Sequence, residues 1–355
     1  MLPGTAKKLG EIYLAKGVHA TTAIEGNTLS EAEVLAEIRG TLQVPKSQSY
    51  LAREVQNIIQ AYNQIEEVVF SGQNSPPLSL DEIKGFNRLV LEGLPLKEGG
   101  QAGEISPFMV GVARYRGAPR EECEYLLNRL CQWLEADFKP MGELGTGMAL
   151  LQAILAHLYI AWIHPFADGN GRTARLLEFR VLLARGVPAP ASHLLSDHYN
   201  RTRAEYYRQL DHASQSGGDI VPFIRYALEG FRDGLRKQIE QIQKQQLDVM
   251  WHNYIHDKFR RHRSASDKRR RELAIAISEQ REPAPNAKLR FLTPELAVEY
   301  AGRTQRTVSR DINKLRRMHL VHRISGRGYK ASKHLLHAFL PRRKKARTGN
   351  AKGEN

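Results

Sequence analysis

Apolar residues recur along most of this chain at helical spacing. Ala52, Val55, Ile58, Ile59 and Tyr62 share one face. Ser79 caps a further helix with Asp81 and Glu82 in its first turn. From Met148 to Ile163 the chain is apolar apart from residues such as Gln152 and His157, which is too short for a membrane span and predicts a buried core helix leading to His164. Loops are punctuated by Ser71-Gly72-Gln73-Asn74-Ser75-Pro76-Pro77 and by Ser214-Gln215-Ser216-Gly217-Gly218. Around Val112-Ala113-Arg114-Tyr115, after Gly103-Glu104-Ile105, β-branched and aromatic residues predict a short hairpin. No internal repeat is evident, and the pattern predicts a mostly α protein.

A polar helix from Asp219 to about Phe259 leads to a different pattern. Lys268 to Ser278 reads as one helix, and Thr293-Pro294-Glu295 opens a second that stops at Ala301-Gly302. Thr304 caps a third, in which Val308, Ile312, Leu315 and Met318 form the buried stripe, leaving Arg306, Ser309, Arg310, Asn313 and Arg317 facing outward. Leu320 to Ile324, the turn Ser325-Gly326-Arg327-Gly328 and Tyr329-Lys330-Ala331 predict a hairpin with a basic tip.

Charge separates these regions more sharply than hydropathy does. Residues 251–355 hold 27 Lys+Arg against 9 Asp+Glu, leaving 26 against 29 for residues 1–250. So basic a segment implies a polyanionic partner, nucleic acid before membrane. The whole chain has 355 residues, 41% of them apolar, which is material for two or more domains. Its two cysteines, Cys123 and Cys131, match no metal or redox spacing and fit a reducing, cytoplasmic setting. The start Met1-Leu2-Pro3-Gly4 carries no secretory pattern, so neither export nor membrane attachment is expected.

The densest chemistry lies in His164-Pro165-Phe166-Ala167-Asp168-Gly169-Asn170-Gly171-Arg172-Thr173-Ala174-Arg175. Glycines on both sides of Asn170 permit a tight turn whose amides point outward, at the start of a helix whose dipole favours anions. Arg172 and Arg175 are three apart on that helix, Asp168 is a natural Mg²⁺ ligand beside a polyphosphate, and His164 can take a proton at neutral pH. These types in this order predict a nucleotide-phosphate site.

The run resembles the signature of the Fic family, His-x-Phe-x-(Asp/Glu)-Gly-Asn-Gly-Arg-x-x-Arg, at every defined position. The resemblance implies an all-helical fold with a β-hairpin flap and an enzyme that moves AMP from ATP to a Ser, Thr or Tyr hydroxyl of a protein, itself included. Carried onto this chain, His164 deprotonates the target hydroxyl and Asp168 holds Mg²⁺. The amides of Gly169, Asn170 and Gly171, with Arg172, stabilise the transferring group; Thr173 and Ala174 continue the phosphate-binding turn, and Arg175 takes the γ-phosphate. Such transfer is catalysed mostly by positioning and charge.

Thr21-Thr22-Ala23-Ile24-Glu25-Gly26 resembles the family's inhibitory motif, (Ser/Thr)-x-x-x-Glu-(Gly/Asn). Thr21 and Glu25 share a helix face, and the resemblance implies that Glu25 pairs with Arg175 and keeps the γ-phosphate out. Val112, Ala113, Arg114 and Tyr115 resemble the flap that holds the target by strand pairing, although Ser106 stands where many relatives have arginine, three positions after Gly103. Tyr206 and Tyr207 resemble a pair near adenine and ribose, with core packing nearly as good an account of one of them. The C-terminal pattern resembles a winged helix-turn-helix domain, whose third helix and Arg327 would meet DNA, or which would dock a protein.

The expected organisation is an N-terminal helical region over 1–75, a catalytic core over 76–232, a helical connector over 233–266, a winged domain over 267–341 and a basic, disordered tail over 342–355. An adenylyltransferase held down by Glu25 is the leading function. The alternatives are a hydrolase that removes AMP, with Glu25 activating water, and a DNA-bound regulator using the core as a nucleotide sensor. Oligomeric state, target protein and target hydroxyl are left open.

Overall fold

The computed structural model describes residues 3–71, 76–96, 98–112, 115–138, 145–262 and 264–339. The chain divides into two compact units, Met1–Lys237 and Gln238–Asn355.

The first unit is built from helices. α1 spans Pro3–Ile24, α2 Glu31–Ile38, α3 Ser49–Ser71, α4 Leu80–Val90, α5 Arg120–Asp137, α6 Gly145–Ile163 and α7 Asn170–Ala184. Shorter helices follow: α8 Ala189–Ser192, α9 Leu194–Arg201 and α10 Arg203–Gln215, before the long α11 Val221–Phe259. A two-stranded antiparallel hairpin, β1 Gly111–Val112 and β2 Tyr115–Arg116, pairs Gly111 with Arg116 and Val112 with Tyr115.

Helices α6 and α7 form the centre. The predicted core helix begins at Gly145, three residues before Met148, and buries eleven residues including Gln152 and His157. By length and composition it passes for a membrane span, yet most of it is covered by the fold. α7 is buried on nearly every face, as expected for a helix that neighbours surround, and packs against α3, α4 and α6. α1 lies on α2, α3 and α9, which brings its C-terminal end to α7. Ser79 caps α4 through Glu82 N at 3.2 Å, as predicted. Cys123 and Cys131 are free and buried on α5; burial pushes Cys131 up to about 11, so neither reads as a reactive thiol.

The second unit contains α12 Ala265–Glu279, α13 Pro294–Glu299, α14 Gln305–Arg317 and an antiparallel hairpin, β3 Val321–Ile324 with β4 Gly328–Ala331. Thr293 caps α13 by accepting from Leu296 N at 3.2 Å; Thr304 precedes α14 without such a bond. Val308, Ile312 and Leu315 are buried, whereas Met318 is half-buried. A polar residue completes that stripe. Asp311 is 1% exposed and accepts from Arg269 Nε at 2.9 Å, Arg270 Nε at 2.7 Å and Tyr300 OH at 3.0 Å, which fastens α12 and α13 to α14. The hairpin gains a third segment, because Ala284 and Tyr329 exchange backbone bonds at 2.8 and 2.9 Å.

Candidate active site

α6 ends at Ile163, and His164 follows with φ +50°, a left-handed conformation that histidine tolerates better than most residues. Its Nδ1 lies 3.3 Å from Ala161 O; with Nδ1 as donor, the basic lone pair sits on Nε2. The backbone on either side is anchored to the segment preceding and following the hairpin: Ser106 N donates to Pro165 O at 2.8 Å and Ala118 N to Ile163 O at 3.0 Å. Gly117 permits this approach, since a Cβ there would meet His164 Cβ at 2.8 Å. Buried Ser106 turns its Oγ onto Phe108 O at 2.7 Å, so it shapes the loop.

The turn after His164 is closed by Asn170. Its Nδ2 donates to Phe166 O at 2.6 Å while its Oδ1 accepts from Phe166 N at 2.9 Å, a two-bond staple across the loop. Gly169 precedes α7 at φ +76°, where a Cβ would also meet Asn87 Nδ2 at 3.0 Å. Asn87 went unnoticed in the sequence. It is fully buried on α4, donates to Asp168 O at 2.9 Å and accepts from Gly103 N at 2.9 Å, so one amide fixes both the anion turn and the loop leading to the hairpin.

Asp168 keeps 39% of its side chain exposed; its Oδ1 takes Gly169 N at 2.7 Å and lies 3.5 Å from Arg172 Nη2. Arg172 is buried and gives Nη1 to Glu54 Oε1 at 2.7 Å, a second partner that the sequence did not reveal. Glu54 Oε2 in turn accepts from Asn27 Nδ2 at 2.9 Å.

Glu25 lies one residue beyond the end of α1 rather than within it. The helix closes in a Schellman turn, with Asn27 N on Thr22 O at 3.2 Å, Gly26 N on Ala23 O at 3.0 Å and Gly26 at φ +101°. Glu25 Oε1 is thereby aimed at Arg175 Nη2, 2.6 Å away, and Arg175 is 1% exposed. Thr21 reaches Arg175 by its carbonyl, at 3.1 Å, and spends its hydroxyl on Tyr62 OH at 3.1 Å. Burial pushes the Glu25 carboxyl up, but Arg175 outweighs it by charge and hydrogen bond, helped by Arg172, and the net displacement is downward. A Cβ on Gly171 would collide with Glu25 Oε1, so glycine there admits the carboxylate as well as freeing the turn.

Behind Arg175 lies a buried group. Tyr206, 3% exposed, bonds its hydroxyl to His157 Nε2 at 2.9 Å and stacks on Tyr199; Tyr199 OH donates to Glu178 Oε1 at 2.9 Å. Tyr206 is therefore a core residue, whereas Tyr207 is 41% exposed and donates to Ile24 O at 3.3 Å. Burial pushes Glu178 up to about 8, and burial with the charge of Arg175 pushes His157 down to about 3. Thr173 and Ala174 are buried in the first turns of α7.

Of the four hairpin residues, Tyr115 donates to Trp162 O at 2.5 Å, Val112 is seen in its backbone, and Ala113 and Arg114 lie outside the described residues. In the second unit Arg306, Arg310, Asn313, Arg317 and Arg327 are exposed and Ser309 is half-buried.

Residues 77–182 match the model of the Fic/DOC family. The protein adenylyltransferase fic-1 of Caenorhabditis elegans is 30% identical over 222 residues, 62% of this chain and 40% of that protein. Protein adenylyltransferase Fic of Nematostella vectensis is 31% identical over 214 residues, 59% of this chain and 45% of that protein. The chain thus spans less than half the length of these relatives. Among solved structures, a segment of C. elegans Fic-1 superposes with a TM-score of 0.52 at 27% identity, over 64% of this chain and 63% of that one. A Fic family protein from Desulfovibrio desulfuricans shares the fold across 90% of this chain and 86% of its own, with a TM-score of 0.55 at 21% identity.

Proposed function

We propose, from the match of residues 77–182 to the Fic/DOC family, that the chain is a protein adenylyltransferase, moving AMP from ATP to a Ser, Thr or Tyr hydroxyl of a protein. The observation that carries this reading is one loop: a base, His164, is held at fixed distance from the amide-lined N-terminus of α7 by the Asn170 staple. The hydroxyl oxygen attacks the α-phosphorus, its proton passes to His164, and pyrophosphate leaves. The amides of Asn170 and Gly171 and the Arg172 guanidinium would stabilise the charge that grows on the transferring group, while the Gly169 amide is given to Asp168 Oδ1 at 2.7 Å.

Asp168 suits Mg²⁺, which takes one or two carboxylates together with phosphates and keeps several waters; its carboxylate is partly open and borders the turn. The metal would supply charge neutralisation on the phosphates. Glu25 holds Arg175, the group assigned to the γ-phosphate, and so disfavours the productive ATP pose. The segments on either side of the β1–β2 hairpin are joined by backbone bonds to both sides of His164, which supports strand pairing on the hairpin as the way the target lies down.

For the second unit we propose a winged helix-turn-helix domain that binds duplex DNA through α14 and the hairpin tip, supported by the exposure of Arg306, Arg310, Arg317 and Arg327. For location we propose a reducing, cytoplasmic compartment, in which the buried thiols of Cys123 and Cys131 stay unmodified.

Labelled ATP tests the enzyme. Label at the α-phosphate should enter protein and label at the γ-phosphate should not; equal incorporation of both would mean phosphorylation rather than AMP transfer.

A further inference from the structure

Arginines in the second unit are treated in two ways. Arg269 and Arg270 are neutralised by buried Asp311, and Lys333 takes Asp248 at 2.6 Å. By contrast, Arg316, Arg317 and Arg323 make no ion pair among the described residues. They line a crevice of about 570 Å³ between the C-terminal turn of α14 and the hairpin, together with Asn313, His319, His322 and His334.

Among the described residues, no carboxylate lines this crevice. The fold brings cations together there at the cost of mutual repulsion, and an anion would relieve it. His319, at φ +59°, turns the chain from α14 toward β3. His322 is half-buried, with Nδ1 3.2 Å from the hydroxyl of buried Ser332 and its ring edge-on to His334 at 5.2 Å. Its register partner on β4 is Lys330. Among the described residues, the groups that act on His322 by charge are His334 and Lys330, and Arg316, Arg317, His319 and Arg323 line the same crevice.

We infer that this crevice is a phosphate-ester site, formed by Arg316, Arg317, Arg323, His319, His322 and His334, which takes the backbone of a nucleic acid and tightens as His322 gains a proton. Nucleic acid is the favoured source because the positive surface continues along α14 through Arg310 and Arg306, farther than a single small anion would need. The inference deepens the DNA-binding reading by giving it a second, pH-dependent element.

Burial, His334 and Lys330 lower the pKa of His322, so it is largely neutral at physiological pH. A phosphate in contact would reverse this and draw a proton in. Binding should therefore strengthen as pH falls.

The test uses the full chain, a fluorescent DNA duplex and inorganic tripolyphosphate. Between about pH 8 and about pH 6 the slope of log affinity against log salt should steepen by roughly 1, at about 0.9 per phosphate newly neutralised. The variant His322→Gln should lose that steepening, whereas Arg306→Ala/Arg310→Ala should weaken binding at both pH values and keep it. A slope indifferent to pH in wild type, or equally steepened in the histidine variant, would overturn the inference. Tripolyphosphate should raise the pKa of His322 read from its ring proton resonances; no change would also overturn it. A raised pKa without any DNA binding would remove nucleic acid as the source and defeat the DNA-binding reading, while retaining the phosphate chemistry.

Discussion

Glu25 and Arg175 stand 150 positions apart in sequence and meet at 2.6 Å, with the arginine almost wholly enclosed and the carboxylate 30% exposed. The pair joins the end of α1 to the first turns of α7.

Replacing Glu25 with glycine should raise labelling from α-labelled ATP by about tenfold or more, the scale of a coupling free energy of 1–3 kcal/mol. The same variant should melt earlier, because Arg175 loses its carboxylate partner. If labelling fell, or if the variant lost the capacity to remove AMP from modified protein, Glu25 would be serving the reverse reaction.

Asn87 offers a test away from ATP. Leucine at this position leaves Gly103 N–H and Asp168 C=O without their amide partner and should cost about 2–3 kcal/mol in stability. Activity should fall further than stability explains, since the anion turn and the loop leading to the hairpin are then uncoupled. Denaturation at a temperature where the variant remains folded, run beside labelling, separates the two losses.

Glu178 predicts a pH effect. Its folded pKa, about 8, lies above the ordinary 4.5, so its contribution to stability is complete below 4.5 and is lost as pH rises toward 8. His157 works oppositely: its folded pKa of about 3 lies below 6.5, and its contribution is lost as pH falls below 6.5. Between 6.5 and about 8 only the first slope remains of these two, so the wild-type melting temperature should fall across that window and Glu178→Gln should flatten it. Thermal melts at several pH values decide this; an unchanged slope in the variant would mean that Glu178 is ionised inside the core.

Asp168→Ala should abolish the dependence of labelling on added Mg²⁺ by removing most of the labelling itself. Activity that persists equally in wild type and variant under excess chelator would count against a metal at this carboxylate.

The run from His164 to Arg175 was legible because its parts act locally: glycine conformations, a staple four residues long and a helix start are all written in neighbouring positions. Glu25 was legible only through resemblance, as nothing near it in sequence names Arg175. Glu54, Asn87 and Asp311 were not legible. Their partners lie 118, 81 and 42 positions away, and a carboxylate or amide on an otherwise apolar helix face gives no sign of which distant group it satisfies. Arg172 and Tyr206 show the same limit, since one is held by a carboxylate and the other is committed to a buried histidine.

The central claim is tested most directly by labelling the Glu25→Gly chain with α-labelled ATP beside the Glu25→Gly/His164→Ala double variant. The account predicts strong transfer in the first and a loss of about 10²–10⁴-fold in the second, with ATP binding retained in both, because His164 takes the proton and does not hold the phosphates. Equal transfer by the two chains would contradict it.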